Sequence, residues 1–210
     1  PYGSSYPIGT PTTKHTWVEM TLPFMEQTAL YAKLDFSINN DAGVNATALQ
    51  DLRLAGLSCP TNPKTDQMYP NGGTLWSESG VRHQGLDYPL CAGSICPDAV
   101  TPDCPTESTY CISEICATTR SWGTAHTREG PGIVNRGVTK ATIAKVTDGL
   151  SNTWLAGERL AQELNWGGAF TWNFPIAFTA TKPNSPSRTP ASPGNYRNNG
   201  GFSSKHPGGL

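Results

Sequence analysis

The chain has 210 residues, 36% hydrophobic and 15% charged, which suffices for one domain with a real core, while 22 glycines and 18 prolines commit much of it to turns and irregular loops. A formal net charge of −1, with no Lys/Arg run, excludes the electrostatic footprint of a nucleic-acid binder. No stretch reaches the roughly 18 consecutive apolar residues that a membrane-spanning helix needs.

In chain order, residues 1–15 are rich in Pro, Gly, Ser and Thr and read as loop. Trp17–Leu22 carries a β-branched and aromatic composition that points to a strand. Pro23 then sits where the first turn of a helix tolerates proline. The spacing of Phe24, Thr28 and Tyr31 with Met25, Leu30 and Leu34 predicts a helix of about three turns. After the turn cluster Asn39–Gly43, Asn45 is placed to cap a second helix through Ala48, Leu49, Leu52 and Leu54, with Gly56 just past its end. Leu57–Pro60 reads as a short buried strand and 61–85 as turns.

Gly130–Arg136, Thr139–Thr147 and Thr153–Gly157 read as modest strands. The aromatic run Trp166–Phe178, with Trp166, Phe170, Trp172, Phe174 and Phe178 evenly spaced, predicts rings on one face of a strand pair. Thr179–Asn199 reads as loop. Together these elements give an α+β fold: one or two helices, then a meandering antiparallel sheet with long connections.

Five of the six cysteines, Cys91, Cys96, Cys104, Cys111 and Cys116, lie in a Pro-rich segment spanning about 87–120. Zinc modules bring thiolates together through tight C-x2-C pairs, and none is present in this segment. Disulfides are therefore expected there, each stabilising by about 2–4 kcal/mol, which implies an extracytoplasmic location: periplasm, cell surface or outside the cell. Cys59 stands apart; it pairs into the cluster or with a group beyond these residues.

Tests for catalytic chemistry return little. There is no G-x-S-x-G, P-loop or G-x-G-x-x-G, and His15, His83, His126 and His206 lie in unpatterned, loop-like contexts. Cys59, next to Pro60 on an apolar stretch, reads as structural rather than as a nucleophile. Asp148, Ser151, Asn152 and Glu158 offer oxygen ligands for a structural calcium, but a capped Asp-Gly turn explains the first three more simply, with Glu158 as a buried hydrogen-bonding anchor. No other metal and no cofactor is expected. Trp166, Phe170, Trp172 and Phe174 would serve either as core or as a sugar-stacking platform, and core is the simpler reading. Asn45-Ala46-Thr47 is a glycosylation sequon overlapping a helix cap.

Four islands in order resemble one family. They are Trp17–Gln27 with Leu30-Tyr31 and Asp35-Phe36, Leu57-Ser58-Cys59-Pro60-Thr61, Val146–Thr153 through Gly157-Glu158, and Phe202–Gly209. They are similar to the "W…LLPYLEQ", "L-x-C-P-S", "ITDGTSNT…GE" and "S-x-H-P-G-G…DG" blocks of the prepilin-like domain of unknown function 1559, expanded in planctomycetes and also labelled solute-binding. On this resemblance Asp148, Gly149, Ser151, Asn152, Thr153, Glu158 and His206 are structural motif residues. It implies one pilin-like head over 1–210, related to type IV pilins and type II secretion pseudopilins, with the Cys-rich segment as an insertion. The family's N-terminal helix and closing Asp-Gly strand are expected to lie outside these residues, so membrane contact would come only through a segment not in this chain. A non-enzymatic subunit that assembles with itself or with other envelope or secretion subunits is the expected function, and an extracytoplasmic carbohydrate- or solute-binding module is the alternative.

Overall fold

The computed structural model describes residues 15–64, 66–72, 78–93, 132–134, 142–164, 167–171, 176–179, 181–186, 188, 191 and 199–206. The fold is α+β, and the described residues form three short α-helices and two strand pairs.

Helix α1, Trp17–Thr21, replaces the strand that composition suggested. Its cause is local: Thr16 is an extended N-cap whose hydroxyl accepts from the Val18 amide at 3.3 Å, while the Glu19 carboxylate takes the Thr16 amide at 2.8 Å. This capping box satisfies amides that a helix start leaves unpaired, and it puts Val18 and Leu22 on one buried face. Glu19 itself is buried and also accepts from Asn40 Nδ2 at 3.0 Å, with His15 Nδ1 at 3.3 Å.

Pro23 does sit in a first turn, that of the 3-10 segment Leu22–Met25. The three-turn helix from Phe24 does not form, because Glu26 turns left-handed (φ 59°) and breaks it. Only α2, Thr28–Tyr31, follows. Helix α3, Gly43–Leu49, starts at Ala42, so Asn45 lies inside the helix and not at its cap. The buried Asn45 amide accepts from Asp35 N at 2.8 Å and donates to the carbonyls of Asp35 and Asn39 at 2.8 and 3.1 Å. That amide clamps the preceding turn and is closed to glycosylation in the folded state. Gly56 falls within a 3-10 turn, Ala55–Leu57, after which the backbone at Ser58 is extended.

The stretch 61–85, read as turns, holds most of an antiparallel ribbon: β1, Met68–Gly72, and β2, Glu78–Gln84, paired Met68↔Gln84 and Tyr69↔His83. Residues 84–93 then run as a spine. On one side the chain 155–159 pairs antiparallel to it, through Cys91 N to Leu155 O at 2.8 Å and Arg159 N to Asp87 O at 2.8 Å. Strand β3, Leu90–Cys91, pairs in parallel with β4, Ile176–Ala177, which the expected all-antiparallel meander did not include. Of Thr139–Thr147, expected as a strand, the described part 142–147 contains the 3-10 turn Ile143–Lys145, and Thr153–Gly157 joins the spine only from Leu155 onward, at the bridge of Ala156 to Leu90.

Among the described residues, three apolar clusters hang on this spine. Val18, Leu22, Leu34, Leu49, Leu54, Leu57, Leu86, Ala169 and Phe170 form the first, under the helices. Ala92, Leu164, Ile176 and Phe178 form the second, and Cys91, Ala177 and Phe202 the third. Each fully buried Leu or Phe contributes about 1.5–3 kcal/mol, so the first cluster dominates. Among the described residues no helix is long and apolar enough to cross a membrane.

Candidate functional site

Three of the four sequence islands meet at one place. Segment 57–62 is fixed by Asp87, a buried carboxylate on the spine. Asp87 accepts from the amide of Cys59 at 2.8 Å, from Asn62 Nδ2 at 2.9 Å and from the amide of Ala161 at 3.2 Å. The Asp87 amide in turn donates to Leu57 O at 2.9 Å. Segment 155–159 lies beside the spine, and Gly157 presses on the Phe202 ring so closely that a Cβ would stand 2.8 Å from its Cδ1. Segment 202–206 closes the arrangement: the Ser203 amide donates to Glu158 O at 2.9 Å and Ser204 Oγ donates to Glu158 Oε2 at 2.7 Å.

The result is a cluster of Cys59, Glu158 and His206, whose ligand-type atoms all lie within 4.8 Å of one another. Cys59 Sγ is 3.4 Å from His206 Nε2, and the same nitrogen is 3.3 Å from Glu158 Oε2. Thr61 Oγ1 stands 3.1 Å from the sulfur and 3.3 Å from Nε2. Cys59 is buried, Glu158 nearly so, and the His206 side chain is 42% exposed, so the cluster has a closed floor and an open rim. Tyr88 hydrogen-bonds Cys59, and burial first, then that bond and the charges nearby, push its phenol up to about 12. Sequence reading kept these residues apart: Cys59 was a structural thiol, Glu158 an anchor and His206 a loop motif. Glu158, expected as a buried hydrogen-bonding anchor, is 11% exposed and accepts from Ser204 Oγ.

A thiolate–imidazole–carboxylate catalytic triad needs the carboxylate on the imidazole nitrogen that does not face the sulfur. Here sulfur and carboxylate face the same nitrogen.

The signature turn has a different character. Gly149 adopts φ +83°, Asn152 Nδ2 donates to Asp148 O at 3.0 Å, and Thr153 Oγ1 donates to Gly149 O at 3.0 Å. Asp148, Ser151 and Asn152 are exposed. These bonds make a capped turn, and the Glu158 carboxylate weighed with it for calcium engages Ser204 and His206 instead.

Cys59 and Cys91 are both buried free thiols, so neither is in a disulfide. Burial above all raises the Cys91 thiol. Cys96, Cys104, Cys111 and Cys116 lie outside the described residues, as do Trp166, Trp172 and Phe174. Phe170 and Phe178 are buried in two different core clusters and do not form one exposed platform.

Several organising residues escaped the sequence reading. Arg159 is fully buried, donates to Ile176 O at 2.8 Å, and is pushed down to about 9 by burial and then by the charge of Arg188, with Asp87 opposing. Asp87 gave no sequence signal, because its partners are backbone amides and distant side chains.

No curated protein and no solved structure matches the chain. The family model described as "Protein of unknown function (DUF1559)" matches residues 1–210, and with three of its islands now seen to share one site, the chain belongs to that family.

Proposed function

We propose that the chain is an extracytoplasmic, non-enzymatic assembly subunit, a pseudopilin-like head that packs against copies of itself or other envelope or secretion subunits. One observation carries this reading: the signature stretch turns its apolar side chains outward. Ile143, Leu150, Trp154 and Leu155 are exposed by 75, 58, 56 and 55%. Single exposed apolar residues are ordinary, but four within 143–155 concentrate apolar area on one short segment, as contact surfaces do. Trp154 is held edge-on against buried Phe202, with ring centroids 5.8 Å apart, so it is a preorganised anchor of the type that dominates interfaces. The capped turn keeps the ridge in place. The shared-nitrogen geometry at His206 supports a non-enzymatic reading.

The test is recovery of the natural protein from its own cell envelope by in-situ cross-linking and native mass analysis. A multimer or envelope complex is expected, and a Trp154→Ser/Leu155→Ser variant should associate at least tenfold more weakly. Recovery of the unaltered protein as a monomer alone would overturn the reading. So would any turnover in a broad hydrolase and transferase screen that Cys59→Ala abolishes.

A further inference from the structure

The cluster at Cys59 contains an arrangement that hydrogen bonding alone does not explain. An imidazole nitrogen has one bonding direction in the ring plane, as donor or as acceptor. His206 Nε2 nevertheless faces three partners at nearly equal range: Cys59 Sγ at 3.4 Å, Thr61 Oγ1 at 3.3 Å and Glu158 Oε2 at 3.3 Å. One hydrogen bond serves one of them. A cation at their common centre serves sulfur, nitrogen and carboxylate together.

Two of the three separations fit such an ion, and the third, sulfur to carboxylate oxygen, lies within 4.8 Å. Tetrahedral zinc, with Zn–S near 2.3 Å and Zn–N or Zn–O near 2.0–2.1 Å, sets its ligand atoms about 3.3–3.6 Å apart along each edge. The two measured edges, sulfur to nitrogen at 3.4 Å and nitrogen to carboxylate oxygen at 3.3 Å, fall in that range. The donor set selects the metal class: a thiolate with an imidazole favours zinc and disfavours calcium and magnesium, which take oxygen.

We propose that Cys59, Glu158 and His206 form a zinc site, with Sγ, a carboxylate oxygen and Nε2 as the three protein ligands and water in the remaining position. The supporting groups are present. Ser204 Oγ orients the Glu158 carboxylate at 2.7 Å and accepts the His206 amide at 3.1 Å, while Thr61 Oγ1 sits 3.1 Å from the sulfur. Such outer contacts fix the direction of metal ligands. The half-exposed imidazole leaves an entry path from solvent. The ion fastens segment 57–61 to segments 157–158 and 204–206, which in sequence are remote from one another. An open water position is also what catalytic zinc sites keep, so turnover by the zinc-loaded chain would overturn the non-enzymatic reading and leave this site, which stands independently of it.

The experiment uses the whole chain, stripped with chelator under reducing conditions and titrated with zinc by calorimetry, and with cobalt as a spectroscopic stand-in. One ion bound through this cluster, a thiolate-to-cobalt charge-transfer band and a zinc-dependent rise in Tm are expected. His206→Ala, at a half-exposed position, should keep the metal-free circular dichroism and Tm of the parent, lose the zinc-dependent rise in Tm, and weaken zinc binding at least 100-fold. Cys59→Ser should lose the charge-transfer band. No zinc binding by the parent, or binding that His206→Ala and Cys59→Ser leave unchanged because it resides in the cysteines of 96–116, would overturn the proposal.

Discussion

Arg188 and Glu163 form a buried ion pair: Arg188 Nε donates to Glu163 Oε2 at 2.8 Å, and the two side chains are only 6 and 8% exposed. The guanidinium also reaches the carbonyls of Asn199 at 3.0 Å and Gly201 at 3.3 Å, and Ser203 Oγ donates to the same carboxylate oxygen at 3.3 Å. The pair therefore ties the loop at 188 to the closing segment 199–203.

Removing one partner strands the other charge without water. Glu163→Ala or Arg188→Ala should each lower stability by about 3–5 kcal/mol, whereas the double variant should cost much less than the sum. Urea unfolding of the four proteins as a double-mutant cycle measures this; additive losses would show that the pair is not coupled.

The capping box at α1 makes a graded prediction. Thr16→Ala removes one side-chain cap and should cost about 0.5–2 kcal/mol. Glu19→Ala should cost more, because it leaves the Thr16 amide and Asn40 Nδ2 each without one buried acceptor, at about 1–3 kcal/mol per group left unsatisfied. Thermal unfolding followed by far-ultraviolet circular dichroism gives the order of the two variants.

His83 predicts acid sensitivity. It is fully buried against Phe170, ring centroids 5.3 Å apart, and burial above all pulls its imidazole down to about 4, against which a bond to Leu49 O and nearby carboxylates act. Its folded pKa lies below its unfolded value, so the unfolded state binds more protons between them. Stability from neutral His83 is intact above about pH 6.5, falls as pH drops toward 4, and loses roughly 3 kcal/mol across that window. His83→Phe should flatten the slope of stability against pH there. An unchanged slope in equilibrium unfolding from pH 7 to 4 would assign the acid sensitivity elsewhere.

Two glycines of the signature are predicted to resist alanine for different reasons. Gly149 holds φ 83°, ψ 142°, a backbone state that side chains avoid, so Gly149→Ala should cost about 1–3 kcal/mol through strain. Gly157→Ala should cost about 1–3 kcal/mol through overpacking against Phe202, and should also disturb the packing beneath Trp154. Trp fluorescence should therefore shift in the second variant and not in the first.

Legibility in the sequence followed the range of the cause. The Asp148-Gly149 turn, Pro23 in a first turn and the α+β class all rest on neighbouring residues, and all could be read. At α1, Trp17, Val18 and Thr21 have strand-like composition, yet Thr16-x-x-Glu19 is a capping-box signal in plain view that outweighs it. Helix length beyond Phe24 failed because Glu26 turns left-handed to let the chain fold back, a tertiary demand on an unremarkable residue. The pairing of 68–72 with 78–84 was hidden by Pro70 and Gly72, poor strand formers that a partner strand nonetheless holds. The site was invisible as a site, although its residues sat inside recognisable islands: Cys59 and His206 are 147 positions apart, and no spacing rule reaches that far.

Phe202 packs into the third core cluster with Cys91 and Ala177, and Asn184 donates its amide to the Phe202 carbonyl at 3.2 Å. Closing the region around the spine therefore joins residues about 110 positions apart in the chain, Cys91 and Phe202. Contacts over such a span form slowly compared with those inside a helix, so the folding rate of this domain is set at the spine and not at its helices.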